Sequence, residues 1–141
     1  MNESMRLESQ SAMRLLNEIC EVNKVLLAMA QRLRAQPEIS SVERGIDFRV
    51  YQGLPVMEVF VEAELRNNTN VGWWLELRWT EREWRIRYSV RAAHEQGEDA
   101  IQEFPDLVTN NLDGLIQKLN LALSNLIGSS EALPWRDKFP R

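Results

Sequence analysis

One cysteine and one histidine are all this 141-residue chain has of either. Cys20 has no intrachain partner for a disulfide, and it falls among apolar residues of an expected helix, where a small core side chain is the ordinary reading. A catalytic thiol would need a nearby base, and His94 is far along the chain. Without a cysteine pair, the sequon at residues 67–69 reads as chance, and the expected compartment is the cytoplasm. Long apolar runs are missing too. The longest uninterrupted one covers residues 25–30, against the roughly 20 residues that a spanning helix needs. Residues 1–14 are polar and include Glu3 and Glu8, so no signal peptide is expected. A basic excess is absent as well, with 17 Lys and Arg against 21 Asp and Glu. Nucleic acid and membrane are therefore not expected partners. No repeat, low-complexity segment, phosphate loop or metal-ligand spacing is present.

What the chain does have is alternation. Val71, Trp73, Leu75, Leu77 and Trp79 share one face of a strand over residues 71–80, and Gly72, Trp74, Glu76, Arg78 and Thr80 share the other. Residues 84–93 repeat the pattern, with Trp84, Ile86, Tyr88, Val90 and Ala92 against Arg85, Arg87, Ser89 and Arg91. Residues 56–66 do so again through Met57, Val59, Val61, Ala63 and Leu65. A weaker strand over 46–52 is expected to turn Ile46, Phe48 and Val50 inward. Short polar connections at 81–83 and 67–70 make these strands an antiparallel meander. Trp79 is expected opposite Trp84, and Leu65 opposite Val71. A slip of one residue would turn the greasy face to water.

Before the strands, Ala12, Leu15, Ile19, Val22, Leu26, Met29 and Leu33 recur at three-four spacing, widened by Leu16, Cys20, Leu27 and Ala30. They predict an amphipathic helix that Pro37 stops. At 1.5 Å per residue it outreaches a ten-residue strand, so it overhangs the sheet and offers a surface for homodimerisation through helix 1. After the strands, residues 94–106 are acidic and read as a solvated loop. A second helix is expected from Pro105 to Gly128, with 109–111 as a weak point. Residues 1–128 then form one α+β domain, and 129–141 an irregular tail that nevertheless carries Trp135 and Phe139. The expected architecture has two layers: a four-stranded meander with both helices on one face. Its size, acidity and element order resemble those of small secretion chaperones and bacterial immunity proteins. The secretion chaperones insert a helix within the strand order where none is found here, so no residue is carried across.

Charge is balanced through the helix and the sheet; the imbalance of -4 lies wholly after residue 93. Three surfaces compete for function. The outer sheet face interrupts a lattice of charges with Tyr51, Phe60 and Trp74, flanked by Arg78 and Arg87. Exposed aromatics beside arginine are the composition of protein interaction hot spots, so these five are the candidate partner-binding residues. Trp73, Trp79, Trp84 and Tyr88 offer the alternative of an apolar ligand pocket between helices and sheet. His94 with Glu95 and Glu98 is the one general-base candidate, and no nucleophile accompanies it. The reading is a non-enzymatic protein-interaction module, chaperone-, adaptor- or immunity-like, with no metal or cofactor.

Overall fold

A long helix, six strands and a second helix follow one another in the computed structural model, which describes residues 3–80, 82–95 and 97–138. The helix α1 spans Glu3–Arg34, and the strands are β1 (Ile39–Tyr51), β2 (Leu54–Leu65), β3 (Asn70–Thr80), β4 (Glu83–His94), β5 (Gly97–Glu103) and β6 (Leu107–Thr109). Then come α2 (Leu112–Glu131) and the single turn α3 (Trp135–Lys138). All strand pairs are antiparallel, in the order β1-β2-β3-β4-β5, and β6 pairs the start of β4 beyond the reach of β5. The fold is α+β, with helices covering one face of the sheet.

Alternation decides which face that is. Val59, Val61, Trp73, Leu75, Ile86 and Val90 are buried against Val22, Leu26, Met29 and Leu33 of α1 and against Leu115, Leu119, Leu123 and Leu126 of α2. The two helices run in the same direction and in step. Arg14 reaches Asp113 at 2.5 Å, and Arg32 pairs with Glu131, both 99 residues away. These exposed pairs contribute roughly 0 to 1 kcal/mol each; they record the alignment that the core imposes.

The sheet is larger than the expected four strands. The acidic stretch after His94 forms β5, with Arg91 opposite Ala100 and Ala92 opposite Asp99. An edge strand wetted on both sides needs no apolar alternation, so its pattern reads as loop. The first strand begins at Ile39, seven residues before the expected Ile46. Phe48 and Val50 do not face into the core: they are 66% and 74% exposed. The reason lies in how α1 is placed. Arg34 Nη2 and Asn23 Oδ1 tie it to Val42 O and Arg44 of β1, Arg14 and Arg32 pair it with α2, and neither Phe48 nor Val50 joins the core held between them. The far end of β1 is left beyond the helix. Leu16, Cys20 and Leu27, expected to widen the buried stripe, are exposed as well.

The β3–β4 register places Trp79 opposite Trp84, their rings 4.8 Å apart, as the alternation predicts. The β2–β3 register differs by two residues: Ala63, not Leu65, faces Val71. Leu65 N donates to Thr69 O (2.7 Å), Asn68 adopts φ 67°, and Thr69 N donates to the Asn67 side chain, so the turn consumes Leu65. Face parity survives a shift of two.

α2 begins at Leu112, not at Pro105, because Asn111 caps it: its side chain accepts from Gly114 N at 2.7 Å. It continues past Gly128 to Glu131. Trp135 then turns back into the core, only 2% exposed, and meets Trp73 edge to face at 6.0 Å. Phe139, and Glu81 of the β3–β4 connection, lie outside the described residues.

Candidate protein-binding face

The face of the sheet opposite the helices is built from the alternate residues of five strands. At its centre Phe60 on β2 lies directly opposite Trp74 on β3. Each is half-buried. Phe60 rests on Gly45 of β1, where an added Cβ would approach its ring to 2.9 Å, so glycine there is what lets the ring lie flat across the strand. Beyond Trp74 the surface falls away, because Gly72 and Ala93 offer little or no side chain. The resulting notch has a volume of about 290 Å³ and is lined by Trp74, Glu62, Asn70, Arg91 and Glu98 around those small residues. Arg91 is already engaged: it reaches Glu98 at 3.5 Å, Glu103 at 3.3 Å and Ser89 Oγ at 3.3 Å. Glu62 makes no ion pair among the described residues and lies opposite Gly72, facing the opening. The notch therefore presents an indole wall and an uncommitted carboxylate.

Tyr51 and Arg78 make a second cluster toward the β1–β2 turn. The Arg78 guanidinium lies 4.9 Å from the centre of the Tyr51 ring, and Val56 is buried between Arg49 and Arg78, its neighbours on the adjoining strands. Arg78 Nη2 also lies 2.9 Å from Glu76 Oε1, an ionic contact without hydrogen-bond alignment. Glu76 is only 5% exposed, next to Arg87 across the β3–β4 pair. Arg87 itself leans away toward Asp106, at 3.8 Å. Of the five candidates, then, Phe60 and Trp74 stand opposite each other on neighbouring strands, Tyr51 and Arg78 touch, and Arg87 stands apart. Sequence alternation puts all five on this face. It does not find Glu98, which reaches the notch only because the acidic segment is a strand, nor Val56, whose burial depends on the long neighbours that fold over it.

The other two surfaces come out differently. Among the aromatics expected to wall a pocket, Trp73 packs on Trp135, Trp79 on Trp84, and Tyr88 stacks on Phe104 at 4.6 Å while accepting from Asn125 Nδ2 at 2.9 Å. His94 Nε2 is 2.8 Å from Asp99 Oδ2, and Glu98 belongs to the Arg91 cluster. No group of three or more metal-ligating side chains is assembled among the described residues. No helix among them is long and apolar enough to cross a membrane.

No known protein family, no curated protein and no solved structure matches the chain.

Proposed function

We propose that this protein is a non-enzymatic binding module whose working surface is the helix-free face of its sheet, and that the notch beside Trp74 receives a basic side chain of a protein partner. The observation that carries this reading is the Phe60–Trp74 pair with an open notch next to it, on a face that no helix covers. Two adjoining aromatics supply apolar contact area at low entropic cost, as anchors of protein interfaces do. An indole face with the free Glu62 carboxylate attracts a lysine or arginine through cation–π and ionic contacts together. The engaged Arg91 stays on the rim and sets the direction of approach.

A cytoplasmic setting suits the exposed Cys20 thiol. The test is capture of a partner from lysate on the immobilised full chain, followed by titration of the identified partner. Trp74→Ala is expected to weaken binding at least about tenfold, Glu62→Gln several-fold, with far-UV circular dichroism unchanged. Binding that ignores both substitutions would remove the notch from consideration. A small apolar molecule released on denaturation would favour the ligand reading instead.

A further inference from the structure

Five of the eight large hydrophobic side chains exposed among the described residues, Met13, Leu16, Leu27, Phe48 and Val50, lie on α1 or on the helix-side face of β1. At 100° per residue Met13, Leu16, Cys20 and Leu27 fall within an arc of about 60° on α1, and all four are exposed. Asn23 marks the border of that arc, and its side chain bonds Arg44 of β1 at 3.0 Å. Arg14 and Arg32, on the other flank of the helix, face α2. The stripe thus overhangs the free side of β1, where Phe48 and Val50 also stand exposed. β1 itself is a 13-residue edge strand. An edge of that length with apolar neighbours is a template for another strand. The opposite edge is poorly suited to this: β5 has seven residues and carries Glu98, Asp99 and Glu103.

We infer that this edge pairs with the same edge of a second copy, β1 against β1 about a two-fold axis through Ile46, joining two sheets into one. Around an axis normal to the sheet, facing residues must lie on the same face, so only alternate registers are open. Axes at Arg44, Gly45, Asp47 or Arg49 each oppose like charges: Arg44 with itself, Glu43 with Asp47, Asp47 with itself, and Arg49 with itself. An axis at Phe48 avoids that clash but pairs fewer residues before the strand ends at Tyr51. The axis at Ile46 sets Glu43 opposite Arg49 twice, Val42 opposite Val50, and Arg44 opposite the Phe48 ring. Arg34, already bonded to Val42 O, closes the ladder at each end.

The helix contributes to the same interface, because the Asn23–Arg44 contact places the exposed stripe on the flank of α1 nearest β1. Met13 and Leu27 are equidistant from Cys20, so a two-fold axis beside Cys20 lets the second copy's Leu27 meet Met13, Cys20 meet its own equivalent and Leu16 meet the Lys24 stem. The partner's helix would also cover Phe48 and Val50.

Sedimentation equilibrium of the full chain should give about 33 kDa, twice the 16.5 kDa of one chain. A bis-maleimide with a two-carbon spacer should convert that species to a covalent dimer through Cys20, the only thiol present. Glu43→Arg should raise the dimer dissociation constant at least about tenfold, because two pairs become repulsive at once. Adding Arg49→Glu should restore it. A wild-type chain that remains monomeric up to about 100 µM overturns the inference. So does a dimer that does not cross-link through Cys20, or one whose constant ignores Glu43→Arg. Failure of the charge swap to rescue a variant that circular dichroism reports as folded overturns it too. None of these outcomes bears on the notch beside Trp74, which lies on another strand pair.

Discussion

Glu38 accepts from Arg136 Nε at 2.7 Å and Nη2 at 2.8 Å, and this bidentate contact holds its carboxyl at about 2, well below its ordinary 4.5. Glu18 is the opposite case. Burial on α1, with the Glu21 charge adding to it, pushes its pKa up, and Glu18 Oε1 has no hydrogen-bond partner among the described residues. The two carboxylates therefore give stability opposite slopes with pH. The Glu38 contribution is complete above the ordinary value of 4.5 and is lost as pH falls toward 2. The Glu18 penalty is absent in acid, grows as pH rises through its ordinary 4.5, and is complete once pH passes its raised folded value. Urea unfolding at pH 2.5, 4.5 and 7 separates them. Glu38→Gln should approach wild type at the lowest pH, where most of the contribution is already lost, and fall further below it toward pH 7. Glu18→Gln should match it in acid and exceed it at pH 7. Equal offsets at all three pH values would mean that neither carboxylate is perturbed by its surroundings.

Among the elements, α2 provides the sharpest local test. Replacing glycine by alanine inside a helix ordinarily gains about 1 kcal/mol. At Gly114 the added Cβ would stand 2.1 Å from Thr109 Oγ1 and 3.1 Å from Thr109 Cβ, so β6 and the first turn of the helix are pressed together there. Gly114→Ala is expected to destabilise by about 1 to 2 kcal/mol. Adding Thr109→Ala should recover most of that loss, a coupling that a double-mutant cycle in urea measures. The same contact explains why the helix start was not legible. Pro105 is a good first residue, but Leu107–Thr109 can pair with β4, and Asn111 caps better than Pro105 begins. Where one face is apolar and the other charged, as along residues 71–80 and 84–93, the sequence specifies strand, face and register together. Where a side chain's burial depends on a neighbour far along the chain, it does not. Phe48 alternates correctly yet is exposed, because no core residue of either helix packs over the far end of β1. Trp135 gives no periodic signal, and its burial rests on partners far back in the chain such as Trp73. Among the site residues, the aromatics were readable from alternation, whereas the Glu98 wall of the notch required knowing that an acidic segment pairs with β4.

At the scale of the whole molecule, one layer of helices on one face leaves the protein with two unlike sides, and consecutive residues of β3 sample both. Trp73 is 1% exposed beneath α2 and Trp135, whereas Trp74 is half-buried on the open side. Trp73→Ala should cost about 3 to 5 kcal/mol, the range for a large aromatic removed from a packed core. Trp74→Ala removes a ring that is partly exposed and should cost about 1 to 2 kcal/mol less than Trp73→Ala. Denaturant midpoints of the two variants, with unchanged m-values, check the asymmetry. The difference bears directly on function, because a residue reserved for a partner need not support its own fold. If Trp74→Ala unfolded the protein as severely as Trp73→Ala, the outer aromatics would be a second core under some cover. The Phe60–Trp74 notch would then have no free surface to offer a partner.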